Sequence, residues 1–183
     1  MFRTFSTSLA LLLLLAAPAR AAEERKDYQI FKDVASTVLQ YSRFTIFDDV
    51  SASVDNGAVT LYGKVTMPYK KSDIEKRVAK VDGVTHVDNR IEVLGVSIYD
   101  DDLRYAIARA IYGNSAFWHY AAMANPPIHI LVDRGRVTLT GVVNSDVERA
   151  LARSLATTFG ALSVTSELRT DAEVKAELER KGL

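Results

Sequence analysis

Apolar and polar residues alternate in two bursts along this chain, and a helical spacing flanks each burst. Val50, Ala52 and Val54 alternate with polar neighbours, and so do Val59, Leu61, Gly63 and Val65. The pattern returns at Ile128, Ile130 and Val132 and then at Val137, Leu139, Gly141 and Val143. A period of two marks a strand with one buried face. Between the members of each pair lies Asp-x-Gly, "DNG" at 55–57 and "DRG" at 133–135. That spacing predicts a hairpin turn in which Gly57 and Gly135 adopt positive φ. Downstream, Ile74, Val78 and Val81 recur at helical spacing, as do Val147, Leu151 and Leu155. Gly83 and Gly160 then end the helices, and alternation resumes at Val87, Asn89, Ile91 and Val93 and at Val164, Ser166 and Leu168. Upstream, "DVASTVLQYSR" (33–43) and "DLRYAIARAIY" (102–112) predict helices opening on Asp33 and Asp102, which pair without gaps.

The chain therefore says one thing twice: helix, strand, strand, helix, strand. The fold class this predicts is α+β, two tandem αββαβ domains, each a small three-stranded sheet covered on one face by two helices. The expected boundaries are 27–95 and 96–171, joined around "LGVSIYDD", with a polar C-terminal helix or tail at 172–183. Units of this size lie near the lower limit for independent folding. Gly63 and Gly141 fall inside strands, where glycine marks a bulge or a close approach by other backbone. The expectation is a helix crossing the sheet at that point.

Residues 1–21 stand outside this repeat. Arg3 supplies a positive start, Leu9–Ala17 is an apolar run too short to span a bilayer, and "ARA" at 19–21 offers small residues for a peptidase. A secretory signal peptide cleaved after Ala21 is expected, which makes the protein periplasmic. The full chain carries 23 basic and 23 acidic residues, and loss of Arg3 and Arg20 leaves a charge of about −2. No strong field or basic stripe favours nucleic acid. There is no cysteine. That excludes a disulfide framework, a thiol nucleophile and a lipid-modified cysteine.

Candidate chemistry is sparse. The histidines are His86, His119 and His129, and His86 and His129 lie in strand patterns where a structural role is the ordinary one. No nucleophile elbow, phosphate loop or dinucleotide fingerprint occurs. The acidic clusters Asp48–Asp49 and Asp100–Asp102 match no calcium-loop spacing and suit capping better than cation binding. No metal or other cofactor is expected, and no catalytic residues emerge.

The order helix, strand, "NG.VTL.G.V", helix, "GV..V.N.I.V" resembles the BON domain family. Val54–Val65 with Gly83–Val93 carries the likeness in the first copy, Val132–Val143 with Gly160–Leu168 in the second, where Ala161 replaces the usual valine. The resemblance implies an envelope-associated protein of stress survival that binds phospholipid or another surface component and is not an enzyme. It also implies that the first helix of the second domain engages the lipid.

Differences between the copies narrow the candidates. Where the first helix of copy one turns Ser36, Gln40 and Arg43 outward, that of copy two turns Tyr105, Arg109 and Tyr112 outward. Such a stripe suits a phospholipid headgroup interface, or else it packs against the other domain or the C-terminal helix. Copy two also has a longer connection, "GNSAFWHYAAMANPP" (113–127), nine residues longer on this pairing. Its Phe117, Trp118 and Tyr120 either cap a small core or form a protruding loop. The candidate lipid- or partner-binding set is thus Tyr105, Arg109, Tyr112, Phe117, Trp118 and Tyr120. The leading expectation is weak, reversible contact with a membrane surface through the second domain. The alternatives are a soluble periplasmic ligand- or ion-binding or chaperone-like stress protein and, last, a hydrolase.

Overall fold

The computed structural model describes residues 17–180, with side chains from residue 26 onward. The leader's start and apolar run therefore lie outside the described residues, except for Ala17. Helix α1 (Ala17–Leu39) runs on through the predicted cleavage point. Strands β1 (Asp49–Asp55) and β2 (Ala58–Val65) form the first hairpin, followed by helix α2 (Pro68–Val78) and the short strands β3 (His86–Asn89) and β4 (Glu92–Val93). The second unit repeats this as α3 (Ile98–Tyr112), a single turn α4 (Trp118–Ala121), β5 (Ile128–Asp133), β6 (Arg136–Val143), α5 (Asp146–Ala156), β7 (Ser163–Ser166) and β8 (Arg169–Thr170). Helix α6 (Asp171–Arg180) follows.

The hairpins stand as the alternation requires, with β1 antiparallel to β2 and β5 to β6. The expected third strand is broken in each unit. β3 and β4 both run parallel to β2, and β7 and β8 to β6, so each sheet has four strands in three positions. At the break the chain turns Ile91 or Leu168 into the core, while Arg90 N and Glu167 N donate to the Leu61 and Leu139 carbonyls. Two cores result. Val34, Val38, Leu61, Val65, Ile74 and Val78 centre the first, and Ile107, Ile111, Phe117, Ile130, Leu139 and Ala152 the second.

Three expectations need correction. Asp33 and Asp102 do not open helices. α1 begins well before Asp33, and α3 begins at Ile98 behind Ser97, whose hydroxyl accepts the Asp100 N–H. Nor do Asp33 and Asp102 correspond. Asp27 accepts the N–H groups of Asn56 and Gly57, and Asp100 accepts those of Arg134 and Gly135, so Asp27 and Asp100 hold the same place in the two units. The pairing by sequence is out by four residues, one helical turn. The positions matching Tyr105, Arg109 and Tyr112 are therefore Lys32, Ser36 and Leu39. Asp27 and Gly57 are 30 residues apart and Asp100 and Gly135 are 35 apart, so the insertion is five residues, not nine. Third, no helix presses on Gly63 or Gly141. Their φ values are +119° and +109°, and a Cβ would stand 2.2 Å from the Asp49 carbonyl oxygen and 1.8 Å from that of Pro127. The close neighbour is the backbone of the adjoining strand.

The segment from Phe44 to Phe47 joins the units. Ile46 accepts a hydrogen bond from Ile130 N at 2.7 Å, on the outer edge of β5. The Phe44 ring lies 5.7 Å from His129, and Phe47 meets Tyr105 edge-on at 5.2 Å. Ile46 and Phe47 pack against the second core. The bend holding this segment rests on fully buried Asp48. Its carboxylate accepts from the N–H and hydroxyl of both Thr45 and Thr66 and pairs with Lys70 Nζ at 2.6 Å. A buried charge pair tolerates burial only when so fully hydrogen-bonded.

Candidate functional site

Three of the six candidates belong to the fold. Phe117 is fully buried and Tyr120 nearly so. Tyr120 donates its hydroxyl to Glu148 Oε2 at 2.7 Å and accepts from Asn144 N at 2.9 Å. Burial, then the Glu148 carboxylate, pushes its pKa up to about 12. Tyr112 closes the start of β5: its hydroxyl donates to the Ile128 carbonyl and accepts from Ile128 N. Burial raises its pKa as well. These three lie in or against the second core; periodicity had turned Tyr112 alone outward, and Phe117 and Tyr120 follow the core-capping alternative. Tyr105 remains 56% exposed but spends one ring edge on Phe47 at the junction of the units. The packing alternative thus describes Tyr105 in part, while Tyr112 packs inside its own domain rather than on the other domain or the C-terminal helix. Arg109 and Trp118 are exposed, Trp118 by 69%.

The outward side of α3 is also less suited to anionic lipid than a Tyr–Arg–Tyr stripe suggests. Exposed Asp101 and Asp102 stand on it beside Tyr105 and Arg109, on wheel positions one or two turns away. Asp101 pairs with Arg104. Asp100, the third member of that cluster, is buried and committed to the hairpin turn. Among the described residues no group of three potential metal ligands converges. His119 lies 4.0 Å from Glu148, against the Tyr120 ring and 3.3 Å from Asn144 Nδ2.

A different surface stands out, one the repeat had not marked. At the end of the second unit where α3 starts, Ile98 is 83% exposed and Leu162 74%. Tyr99 lies between them, its hydroxyl donating to the Gly160 carbonyl at 2.8 Å, and Gly135 sits under both Leu162 and Tyr99. Val96 and Phe159, near these residues in sequence, are exposed as well, and the hairpin turn around Gly135 carries exposed Arg134 and Arg136. Asp133 lies 3.9 Å from Arg134, and the Asp100 carboxylate holds the turn amides from beneath. At the matching end of the first unit stand Lys26, Asn56, Ala58 and Thr85, with Lys26 and Thr85 against Gly83 and Gly57 as Tyr99 and Leu162 are against Gly160 and Gly135. The sequence signal was available: "SIY" and "GAL" follow the repeat but break its polarity. Isolated apolar residues in turns carry no period, so pattern reading passes them over.

Comparison with known proteins supplies the family. The BON domain profile matches twice, at residues 29–95 and 115–172. This chain belongs to the BON domain family. The two matches fall on the two repeated α/β units, so the protein is a tandem BON protein. The family is associated with envelope and osmotic-stress binding proteins and is generally non-enzymatic. No curated protein matches. Among solved structures, one is a study of CdsD, a structural protein of the type III secretion system of Chlamydia trachomatis. It is 14% identical over 82% of this chain and 97% of that one, with a TM-score of 0.30. A second, the C-terminal domain of CdsD from the same organism, is 18% identical over 84% of this chain and 72% of that one, with a TM-score of 0.33. No helix among the described residues is long and apolar enough to cross a membrane.

Proposed function

We propose that this tandem BON protein is an exported, non-enzymatic binding protein of the periplasm that attaches reversibly to anionic phospholipid through its second domain. One observation carries the reading: the apolar pole of Ile98, Tyr99 and Leu162, rimmed by Arg134 and Arg136, has no counterpart among the described residues of the first domain. Aliphatic side chains entering the acyl boundary, with guanidinium groups at phosphate level, form a reversible attachment of modest strength. The contact surface is assigned to this pole because its exposed apolar side chains carry the attachment; Asp101 and Asp102, three and four residues beyond Ile98, oppose Arg134 and Arg136 and keep the attachment weak.

Vesicle flotation tests the reading. Fully burying one such aliphatic side chain is worth about 1.5–3 kcal/mol. Ile98→Ser with Leu162→Ser should then lower partition onto anionic vesicles at least about tenfold, with the thermal melt unchanged. Phosphatidylcholine vesicles should bind the parent protein less. Equal flotation of parent and double variant would overturn the proposed surface, and no flotation of the parent would overturn lipid attachment itself.

A further inference from the structure

The outer edges of the two sheets are treated differently. In β5, residues Ile128, Ile130 and Val132 point their N–H and C=O groups away from β6, and each position is met. Tyr112 Oη accepts and donates at Ile128, the Ile46 carbonyl accepts from Ile130 N, and Arg104 Nη2 donates to the Val132 carbonyl at 2.5 Å. The same register places Val50, Ala52 and Val54 on the outer edge of β1, since Ala52 pairs with Leu61 as Ile130 pairs with Leu139. None of the three caps is reproduced there. Leu39 stands where Tyr112 would be and Phe31 where Arg104 would be, and both are apolar and exposed, by 44% and 40%. Among the described residues only the Tyr62 hydroxyl reaches this edge, at 3.4 Å from the Ala52 carbonyl. An uncapped edge without lysine, proline or bulge is a template for a further strand.

The molecule also contains a segment in the place of the one that lies along β5. Residues 44–47 of the first unit lie along β5 of the second. By strand register, residues 122–125 of the second unit occupy the corresponding place. Ala122, Met123, Ala124 and Asn125 are all exposed, Met123 by 48%. The internal junction is head to tail, so repeating it between molecules needs no new kind of contact, only a second copy.

We infer that the edge of β1, flanked by Phe31 and Leu39, is a self-association surface that accepts residues 122–125 of a second copy of this chain. The contact repeats the junction between the two domains. It leaves one free edge and one free segment at the ends of every assembly, so growth is head to tail.

Sedimentation velocity of the purified protein over a concentration series tests this with two variants. Ala52→Pro removes the outward N–H that corresponds to Ile130 N, the donor to Ile46, and so blocks the edge while leaving the bonds to β2 intact. Met123→Lys with Ala124→Lys blocks the segment and alters only exposed positions. The parent should sediment faster as concentration rises, each variant should stay monomeric, and an equimolar mixture of the two should form a dimer and nothing larger, because one free edge and one free segment remain. Circular dichroism spectra like the parent's and a cooperative melt establish that both variants are folded. A parent that stays monomeric throughout would overturn the inference. So would a closed dimer that either variant still forms, or variants that fail to restore a dimer on mixing, which would indicate edge-to-edge pairing or another surface.

Discussion

Gly63 and Gly141 show how a single residue can be legible in its need and illegible in its cause. Glycine inside an alternating run announces that something comes close. Only the backbone reveals that it is the carbonyl of Asp49 or Pro127 on the neighbouring strand, with the glycine itself at positive φ. Valine at either site therefore suffers both an unfavourable backbone conformation and a collision with rigid main chain. Gly63→Val and Gly141→Val should each cost at least about 2 kcal/mol, read as a lower urea midpoint, whereas a packed helix could have shifted to absorb part of the change. Tyr120 gives a second test. Its pKa rises from 10.0 unfolded to about 12 folded, so the folded state keeps the proton that the unfolded state loses. Its contribution is complete below pH 10 and disappears as pH passes 12. Tyr120→Phe should be less stable than the parent at neutral pH, with the gap closing across that interval in urea titrations. A gap independent of pH would mean the hydroxyl is not held as described. The sequence presented Phe117, Trp118 and Tyr120 as one aromatic group. In a turn this short no period tells which ring faces inward, and the structure buries the first and last and exposes Trp118.

At the scale of elements, the order helix, hairpin, helix, strand was fully legible, because each hairpin alternates and Asp-x-Gly divides it. The register between the two first helices was not. What fixes it is a carboxylate reaching a turn 30 or more residues away, and no local period encodes such a contact. Asp100 is the more consequential of the pair, since it is buried with both turn amides while Asp27 is partly open. Asp100→Ala leaves buried N–H groups unpaired and should cost about 2–3 kcal/mol. Asp27→Ala should cost less. Hydrogen exchange at the Gly135 amide should accelerate in the first variant and remain unchanged in the second. Slow exchange at Gly135 in Asp100→Ala would remove the carboxylate from its assigned role. The split of each third strand was equally hidden, because Ile91 and Leu168 fit an unbroken alternation as well as a turn into the core.

The whole molecule is more than two repeats in a row. Nothing in "FTIF" at 44–47 identifies it as the element that reaches the second domain, since a mostly apolar stretch of β-formers reads as well for a core strand. Buried Asp48 and Lys70 shape the bend, and Phe44, Ile46 and Phe47 then close over the edge of β5. Replacing both Phe44 and Phe47 with alanine should separate the domains without unfolding either. The radius of gyration from small-angle scattering should rise and exchange at the Ile130 amide should quicken; no change in either would mean the junction is held elsewhere.

The proposed division of work places lipid contact at the pole of the second domain. The chain has no cysteine, so one introduced cysteine carries one spin label. Leu162→Cys and Thr85→Cys place labels at matching positions of the two domains, and the measurement is the accessibility of each nitroxide to a water-soluble relaxation agent before and after anionic vesicles are added. The label at position 162 should become shielded while the label at 85 stays open to water. Shielding at 85 alone, or at neither position while the protein is vesicle-bound, would contradict the assignment of the contact to the second domain's pole.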